Sequence, residues 1–302
     1  MSDRRRLLGP SGMIIPNIPK QQQKSIITTT TTNTSTSTST STSIIPSFFL
    51  KHSIIDNANG SAYLEINNTI IEVSIFGPRP IRGSFIDRAS VSVDCKFLPH
   101  IIQPMASIFN DTTTSGGGGG GGISSSNRGY RTGMNNIEHK LSSYLETCVL
   151  SSLILEKYPK STIDIQVSII SIDKEIGGGH SLLWLLQWIT CCCSLALVDS
   201  GIEMKDIISS GQVRLTKSGE IIIGGNNDKT EAEDGIDGLV SFMNLKNDEI
   251  VGIWFEGEGE GDDNNNEDSL LNESNMEKLI IECNKMSKII RANLNSYLIN
   301  SM

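Results

Sequence analysis

The segment LLWLLQWITCCCSLALV, residues 182–198, is almost entirely apolar and stops at Asp199. With about 17 residues it is at the lower limit of the length that crosses a bilayer. Three polar residues interrupt it: Gln187, Thr190 and Ser194. Strand-like segments lie on both sides of it. We therefore predict a helix buried in the core of a domain of sheets and helices, rather than a membrane span.

Short segments typical of strands surround this helix. Residues 61–66 are typical of a strand, residues 69–76 are rich in β-branched residues, and the two asparagines between them predict a hairpin. Residues 89–97 alternate between apolar and polar side chains, which predicts a strand with one face in the core. Further strands are predicted at 162–172, 207–215, 220–223, 239–245 and 249–255. A hairpin turn is predicted at 246–248.

Two further helices complete the pattern. Residues 137–158 have helical periodicity and end before Pro159, which cannot continue a helix. Residues 270–299 form a long amphipathic pattern whose apolar side chains fall near one stripe: Leu271, Leu279, Ile280, Cys283, Met286, Ile289, Ile290 and Leu294. Sheets with helices set beside them predict an α+β fold with a mixed sheet and packed helices.

Low-complexity stretches divide the chain. Residues 11–46 form a Ser/Thr-rich insert, 111–133 contain an unbroken run of glycines, and 256–268 consist mostly of Glu, Gly, Asp and Asn. None of these stretches can bury apolar surface, so we predict that they are disordered or flexible. The predicted domain covers 47–302, and 1–10 form a separate N-terminal motif.

The composition limits the classes of function. The net charge of −9 argues against a protein that binds nucleic acid on its own, although basic residues cluster locally around Arg79. The six cysteines form no CxxC pair, and the four histidines have no metal-ligand spacing. We therefore predict no metal, no cofactor and a reducing compartment.

Six fragments of the sequence stand out, in chain order: DRRRLLGP at 3–10, GSAY at 60–63 continuing to FGPR at 76–79, RGSF at 82–85, YPKSTIDI at 158–165, ITCCCSLALVDSGI at 189–202, and GIW at 252–254. Each fragment alone is weak, but together and in this order they resemble the RNase PH-like ring subunits of the eukaryotic RNA exosome. The resemblance covers most of the chain outside the low-complexity stretches. It implies an RNase PH-like fold, of the ribosomal protein S5 domain 2-like class.

The resemblance also implies a function and partners. Such a subunit joins other RNase PH-type exosome subunits in a hexameric ring and touches an exosome cap protein. Single-stranded RNA passes through the channel of the ring to a separate exoribonuclease. The expected role is 3′–5′ RNA processing and degradation, in rRNA maturation and in the turnover of mRNA and non-coding RNA. The implied localisation is nucleus, nucleolus and cytoplasm.

The residues that would carry catalysis are absent or incomplete. Active members of the family hold phosphate at a helix start with a Thr-Arg pair, and the resemblance places Trp184 and Leu185 at those positions. The glycine-rich loop 177–180 just upstream lacks an accompanying Lys or Arg, which favours a plain connection over an anion loop. Glu231 and Asp237 have the spacing of the family's acidic pair, but they also fit a solvated turn.

Three readings of function follow. The first is a subunit that is not an enzyme and contributes structure and RNA contacts. The second is an active phosphorolytic 3′–5′ exoribonuclease that uses Glu231 and Asp237. The third is a protein attached to a membrane through 182–198. We favour the first reading, with no membrane association.

Two groups of residues are candidates for contacts. Arg79, Arg82 and Arg88 lie in and beside a loop after a strand, with Lys96 near them on the next strand, and are predicted to contact RNA phosphates. At the N-terminus, charged and apolar residues are predicted to dock onto a neighbouring subunit: Arg4, Arg5, Arg6, Leu7 and Leu8. Trp184 and Trp188, four residues apart, are predicted to be core residues rather than base-stacking platforms.

Overall fold

The described part of the chain comprises eight ranges in a computed structural model: 46–83, 85–101, 134–172, 182–216, 221–223, 235–243, 246–257 and 273–301. The N-terminal motif, almost all of the Ser/Thr-rich insert and the glycine-rich stretch lie outside these residues, as does most of the third low-complexity stretch.

Nine strands form two separate sheets in the described ranges. The first sheet has the order β1-β2-β3-β5-β4, with strands Phe48–His52, Gly60–Ile66, Thr69–Pro80, Ser161–Ser171 and Ser90–Phe97 in that order. The second sheet has the order β7-β6-β8-β9, with strands Ile221–Ile223, Ser209–Thr216, Gly235–Met243 and Glu249–Gly257. All neighbouring strands are antiparallel except β4 and β5, which are parallel. The first sheet is therefore mixed, as expected.

Three helices pack on these sheets: α1 (Asn136–Ser152), α2 (Leu182–Asp199) and α3 (Glu273–Ser301). Helix α2 packs against β1, β2 and β3 of the first sheet and against β6 and β8 of the second. Helix α3 packs against β6 and β8. Strand β6 is buried at all eight positions, because α2 covers one face of it and α3 covers the other.

The burial of α2 decides between the readings of its sequence. The helix has the length and the mean hydropathy of 1.7 of a membrane span, but 89 % of it is buried inside the protein. At its end, Asp199 Oδ2 accepts a hydrogen bond from the backbone N–H of Ser61, at 2.9 Å. Gly60 allows this close approach, because a Cβ there would lie 2.4 Å from the backbone nitrogen of Ser200. Residues 182–199 thus form a core helix, as predicted.

Helix α1 protects the free edge of the first sheet. Strand β4 is the outermost strand, and side chains of α1 accept hydrogen bonds from its backbone. The N–H of Cys95 donates to Ser142 Oγ at 2.9 Å, and the N–H of Phe97 donates to Glu138 Oε1 at 3.0 Å. The other carboxylate oxygen of Glu138 accepts the N–H of Asn135 at 2.7 Å, at the start of α1. This explains why a carboxylate is buried here.

Several predicted boundaries need correction. Helix α1 ends at Ser152 rather than near residue 158, because Leu153 is extended and forms a β-bridge with Met204. Strand β1 was not predicted, since its short sequence FFLKH has no clear alternation. Strand β9 continues to Gly257, into the stretch predicted to be flexible, because Asp237 and Ile236 of β8 pair with its last two residues.

The stripe on the last helix is confirmed in part. Among the residues predicted for the stripe of α3, five are buried: Leu279, Cys283, Met286, Ile290 and Leu294. Ile289 is 45 % exposed, however, because it neighbours Ile290 on the helix and points away from the sheet. Leu271 lies outside the described residues.

Replacing Glu138 with alanine should destabilise the domain by about 2 kcal/mol, because two backbone N–H groups would lose their acceptor. Urea unfolding at neutral pH measures this change. The exposed Glu277 of α3 is the matched control, and its replacement with alanine should change the free energy of unfolding by at most about 0.5 kcal/mol. Equal effects of the two substitutions would show that the contact with β4 does not stabilise the fold.

Candidate nucleic-acid interface and candidate catalytic site

The first turn of α2 lies in the core. Trp184 and Leu185 are 2 % and 3 % exposed. The indole of Trp184 packs edge-on against Trp188, with ring centroids 6.0 Å apart, and Trp188 in turn packs against Phe48 of β1. The prediction that both tryptophans are core residues is confirmed. A phosphate ion cannot reach these side chains, and neither of them carries a positive charge to bind one. The upstream loop 177–180 lies outside the described residues.

One member of the predicted acidic pair is described, and it faces an arginine. Asp237 of β8 pairs in register with Arg214 of β6 on one side and with Glu256 of β9 on the other. Arg214 Nε and Asp237 Oδ1 are 3.9 Å apart, and both side chains are largely buried. Asp237 is therefore not part of a solvated turn. Glu231 lies outside the described residues.

The environment of Asp237 favours its neutral form. Burial raises the pKa of Asp237, Arg214 opposes this shift and the neighbouring Glu256 adds to it, so that the pKa rises from 3.8 to about 7. Burial also raises the pKa of Glu256, and Lys140 of α1 opposes this shift. A carboxyl group with this pKa could in principle transfer a proton near neutral pH.

The described residues contain no cluster of three or more His, Cys, Asp or Glu side chains that could hold a metal ion. All six cysteines are buried free thiols. Burial raises the pKa of Cys191, in the middle of α2, to about 12. Thiols of this kind act as small apolar side chains of the core.

The three arginines predicted to contact RNA lie together at one end of the first sheet. Arg79, at the end of β3, forms an ion pair with Asp164 of β5, and its guanidinium lies 5.8 Å from the ring centre of Phe76. Arg82 and Arg88 follow in the loop between β3 and β4, which we call the arginine loop (residues 81–89, with 84 outside the described residues). Both are exposed, and neither forms an ion pair with a described residue.

Lys96 lies elsewhere on the sheet. Ser90, at the start of β4, pairs with Thr162 of β5, and so does Arg79 from the other side. Lys96 pairs with Ser168, six residues further along β5, which corresponds to about 20 Å. The expectation that Lys96 lies beside the arginines is therefore wrong, because β4 runs parallel to β5 and carries it away from the loop.

The arginine loop is anchored by Lys160. The N–H of Ile81 donates to the carbonyl of Lys160 at 3.0 Å, and the N–H of Lys160 donates to the carbonyl of Ile86 at 2.9 Å. The N–H of Ala89 donates to the carbonyl of Leu155 at 3.1 Å. Between these anchors, Phe85 is 70 % exposed. We did not predict a role for Phe85 or Lys160, although the sequence RGSFIDR places an aromatic residue between two arginines.

The predicted docking residues Arg4, Arg5, Arg6, Leu7 and Leu8 lie outside the described residues. Their role stays a prediction.

Comparison with known proteins identifies a family and a fold. Residues 47–203 match the sequence model of RNase PH, described as the 3′ exoribonuclease family, domain 1. The chain is 25 % identical to exosome complex component MTR3 of Chaetomium thermophilum over 282 residues, which cover 85 % of this chain and 87 % of that protein. It is also 25 % identical to exosome complex component Rrp41 of Pyrococcus horikoshii, over 66 % of this chain and 67 % of that protein.

Solved structures share the fold at lower identity. Rice Rrp46 superimposes with a TM-score of 0.58 at 17 % identity, covering 84 % of this chain and 96 % of that structure. A chain of the Archaeoglobus fulgidus exosome with RNA bound to the active site gives a TM-score of 0.55 at 14 % identity, covering 82 % and 88 %. The prediction of an RNase PH-like α+β fold is confirmed.

The raised pKa of Asp237 predicts a pH dependence of stability. Folding raises this pKa, so the folded state holds the proton more tightly, and stability from this group falls as pH rises from about 4 to about 7. Asp237→Asn lacks this titration. Its free energy of unfolding relative to wild type should rise between pH 5 and pH 7, by up to about 1.4 kcal/mol per pH unit.

Urea unfolding at several pH values between 5 and 8 tests this expectation. Asp87→Asn, in the exposed part of the arginine loop, serves as the control and should change the free energy of unfolding by at most about 0.5 kcal/mol. A constant difference between Asp237→Asn and wild type across the range would contradict the assignment.

Proposed function

This chain belongs to the RNase PH family, and we propose that it is a non-catalytic subunit of the core ring of the eukaryotic RNA exosome. In this role it supports 3′–5′ RNA processing and degradation by contributing structure and RNA contacts. The likeness to MTR3 over most of both chains supports the choice of exosome subunit within the family. The observation that carries the non-catalytic part is the start of α2, where Trp184 and Leu185 are buried.

The start of α2 matters because phosphorolysis depends on holding the attacking phosphate in place. A helix start can bind an anion only where its N–H groups are open to the ligand and a cation is close. Here two bulky apolar side chains of the first turn pack into the core instead. The carboxyl of Asp237 lies beside the buried side chain of Arg214, which already provides a positive charge next to it. Proton transfer without a positioned phosphate gives no phosphorolysis.

The second candidate function is an active phosphorolytic exoribonuclease. The likeness to archaeal Rrp41 and the raised pKa of Asp237 favour it. The closed start of α2 outweighs both, because an acid residue cannot replace the missing site for phosphate. The burial of α2 likewise leaves little support for a membrane anchor.

The proposed partners are other RNase PH-type exosome subunits in a hexameric ring, an exosome cap protein and single-stranded RNA. One surface supports a protein partner. Strand β9 is one of the two outer strands of the second sheet, and Ile250 and Ile253 on it are each 46 % exposed. Apolar side chains on an outer strand favour association with another chain. The N-terminal residues 4–8 are proposed to dock on a neighbouring subunit.

RNA is proposed to meet the arginine loop. Arg82 and Arg88 are exposed and have no ion-pair partner among the described residues, so each can neutralise a phosphate. Because the guanidinium of Arg79 already pairs with Asp164 and lies over the ring of Phe76, we assign it a weaker phosphate contact. Lys96 is proposed as a separate RNA contact, about 20 Å from the arginine loop along the first sheet. The proposed locations are nucleus, nucleolus and cytoplasm, which are compartments where six free thiols stay reduced.

Affinity purification of the tagged chain from its own cells tests the proposal. We expect stoichiometric recovery of other RNase PH-type chains, and no release of nucleoside diphosphates from RNA when phosphate is added to the purified chain. Nucleoside diphosphate release that is lost in Asp237→Asn would support the second candidate instead. Recovery of the chain as a stable monomer would contradict the first.

Replacing both Arg82 and Arg88 with alanine should weaken RNA binding by the assembled ring and reduce its salt dependence. Loss of two phosphate contacts lowers the slope of log K against log salt by about 1.4 for a single strand. Filter binding at several salt concentrations measures this slope. Lys278→Ala with Lys285→Ala, on the exposed side of α3, removes the same charge and should leave the slope unchanged. Equal slopes for both double variants would rule out the loop as a phosphate-contacting site.

A further inference from the structure

The aromatic side chain of Phe85 lies where it contributes little to the stability of the fold. It is 70 % exposed, in a loop outside both hydrophobic cores, and among the described phenylalanines it is more exposed than Phe49, at 56 %. A phenylalanine contributes to folding only through the area it buries. Its neighbour Ile86 is also exposed, at 41 %. The loop therefore presents apolar surface that the fold of this chain does not use.

The position of Phe85 is nevertheless fixed. Lys160 holds both limbs of the loop, through hydrogen bonds with Ile81 before Phe85 and with Ile86 directly after it. Lys160 itself has a left-handed backbone, with φ of 54°, in the turn before β5. An aromatic ring on an anchored loop loses little conformational entropy when it binds a partner. Exposure combined with anchoring is typical of a binding residue rather than of a solvated turn.

The charges around the ring indicate what it binds. Arg82 and Arg88 flank Phe85 in sequence, and Lys160 joins the two limbs of the loop. None of these three cations forms an ion pair with a described residue, and Asp87 is the one acidic residue described in the loop. Aromatic rings interleaved with free cations bind single-stranded nucleic acid, because bases stack on the rings while the cations follow the phosphates. An interface with a protein would leave these cations to be desolvated or paired.

We propose that Phe85 is a nucleobase-stacking residue of this chain, and that Lys160 is a phosphate-contacting residue of the same surface. The ligand is single-stranded RNA bound without preference for sequence, since every base offers a face to the ring. This assignment rests on the proposed function, which brings RNA to the arginine loop. It adds an uncharged contact whose energy does not depend on salt.

The absence of salt dependence makes the two kinds of contact separable. Loss of one base–aromatic stack changes Kd by roughly five- to hundredfold. Phe85→Ala should therefore weaken binding of a single-stranded oligonucleotide while the slope of log K against log salt stays unchanged. Lys160→Asn, which keeps a residue suited to the left-handed backbone, should lower that slope by about 0.7.

The experiment uses the full-length chain assembled into its ring, with a homopolymeric RNA oligonucleotide as the probe. Phe49→Ala is the matched control, since Phe49 is exposed on β1 at the opposite edge of the same sheet, and its Kd should equal that of wild type. Phe85→Trp should retain affinity, and its fluorescence should be quenched on addition of RNA relative to the wild-type ring. Quenching requires contact between the indole and a base.

The outcomes distinguish this inference from the function on which it rests. If the ring assembles and Arg82→Ala with Arg88→Ala weakens binding, but Phe85→Ala does not, the stacking assignment fails and the proposed function stands. If Phe85→Ala or Phe85→Trp prevents entry into the ring, Phe85 belongs to a protein interface and the assignment also fails. If the wild-type chain forms no ring with other RNase PH-type chains, the proposed function fails first.

Discussion

The structure depends on a helix that is apolar on all sides. Every side chain of α2 from Leu182 to Leu197 is buried. Such a helix is stable in a soluble domain only when other elements cover its whole circumference. Two sheets therefore lie on either side of it, and α1 and α3 complete the layers around them. The close contact of Gly60 with the end of α2 and the complete burial of β6 are consequences of this arrangement.

The same burial disfavours phosphate binding at the start of α2. An anion site at a helix start needs a small or charged first turn that is open to solvent, whereas core packing needs a large apolar one. Trp184 and Leu185 satisfy the second requirement and exclude the first. Arg214 beside Asp237 acts in the same direction, because it supplies a fixed cation to the remaining carboxyl. The first turn of α2 can either pack into the core and stabilise the fold, or stay open to solvent and bind phosphate for catalysis.

Features with strong periodicity were predictable from the sequence. Helix α2 follows from the length and apolar composition of its segment, whereas the hairpin of β2 and β3, the core face of β4 and the long α3 follow from the spacing of apolar residues. The end of α1 at Ser152 was not predictable, because a bridge with Met204, distant in sequence, sets it. The site divides in the same way: the replacement of the expected Thr-Arg pair by Trp184 and Leu185 is visible in the sequence, whereas the separation of Lys96 from the arginines depends on strand direction. The anchoring role of Lys160 involves its backbone N–H and carbonyl groups, which every residue except proline has, so the residue type does not predict it.

The distribution of charge favours the proposed RNA contact only when this chain is part of an assembly. The chain carries a net charge of −9, and the arginine loop offers two arginines and a nearby lysine without ion-pair partners among the described residues. Each phosphate contact with a single strand releases about 0.7 of a counterion, so three cations provide only a small part of useful affinity. Several loops of this kind arranged around one channel add their contacts along the same strand. An anchored loop on an acidic chain suits the proposed division of labour, because the net negative charge disfavours RNA binding away from the cations of the loop.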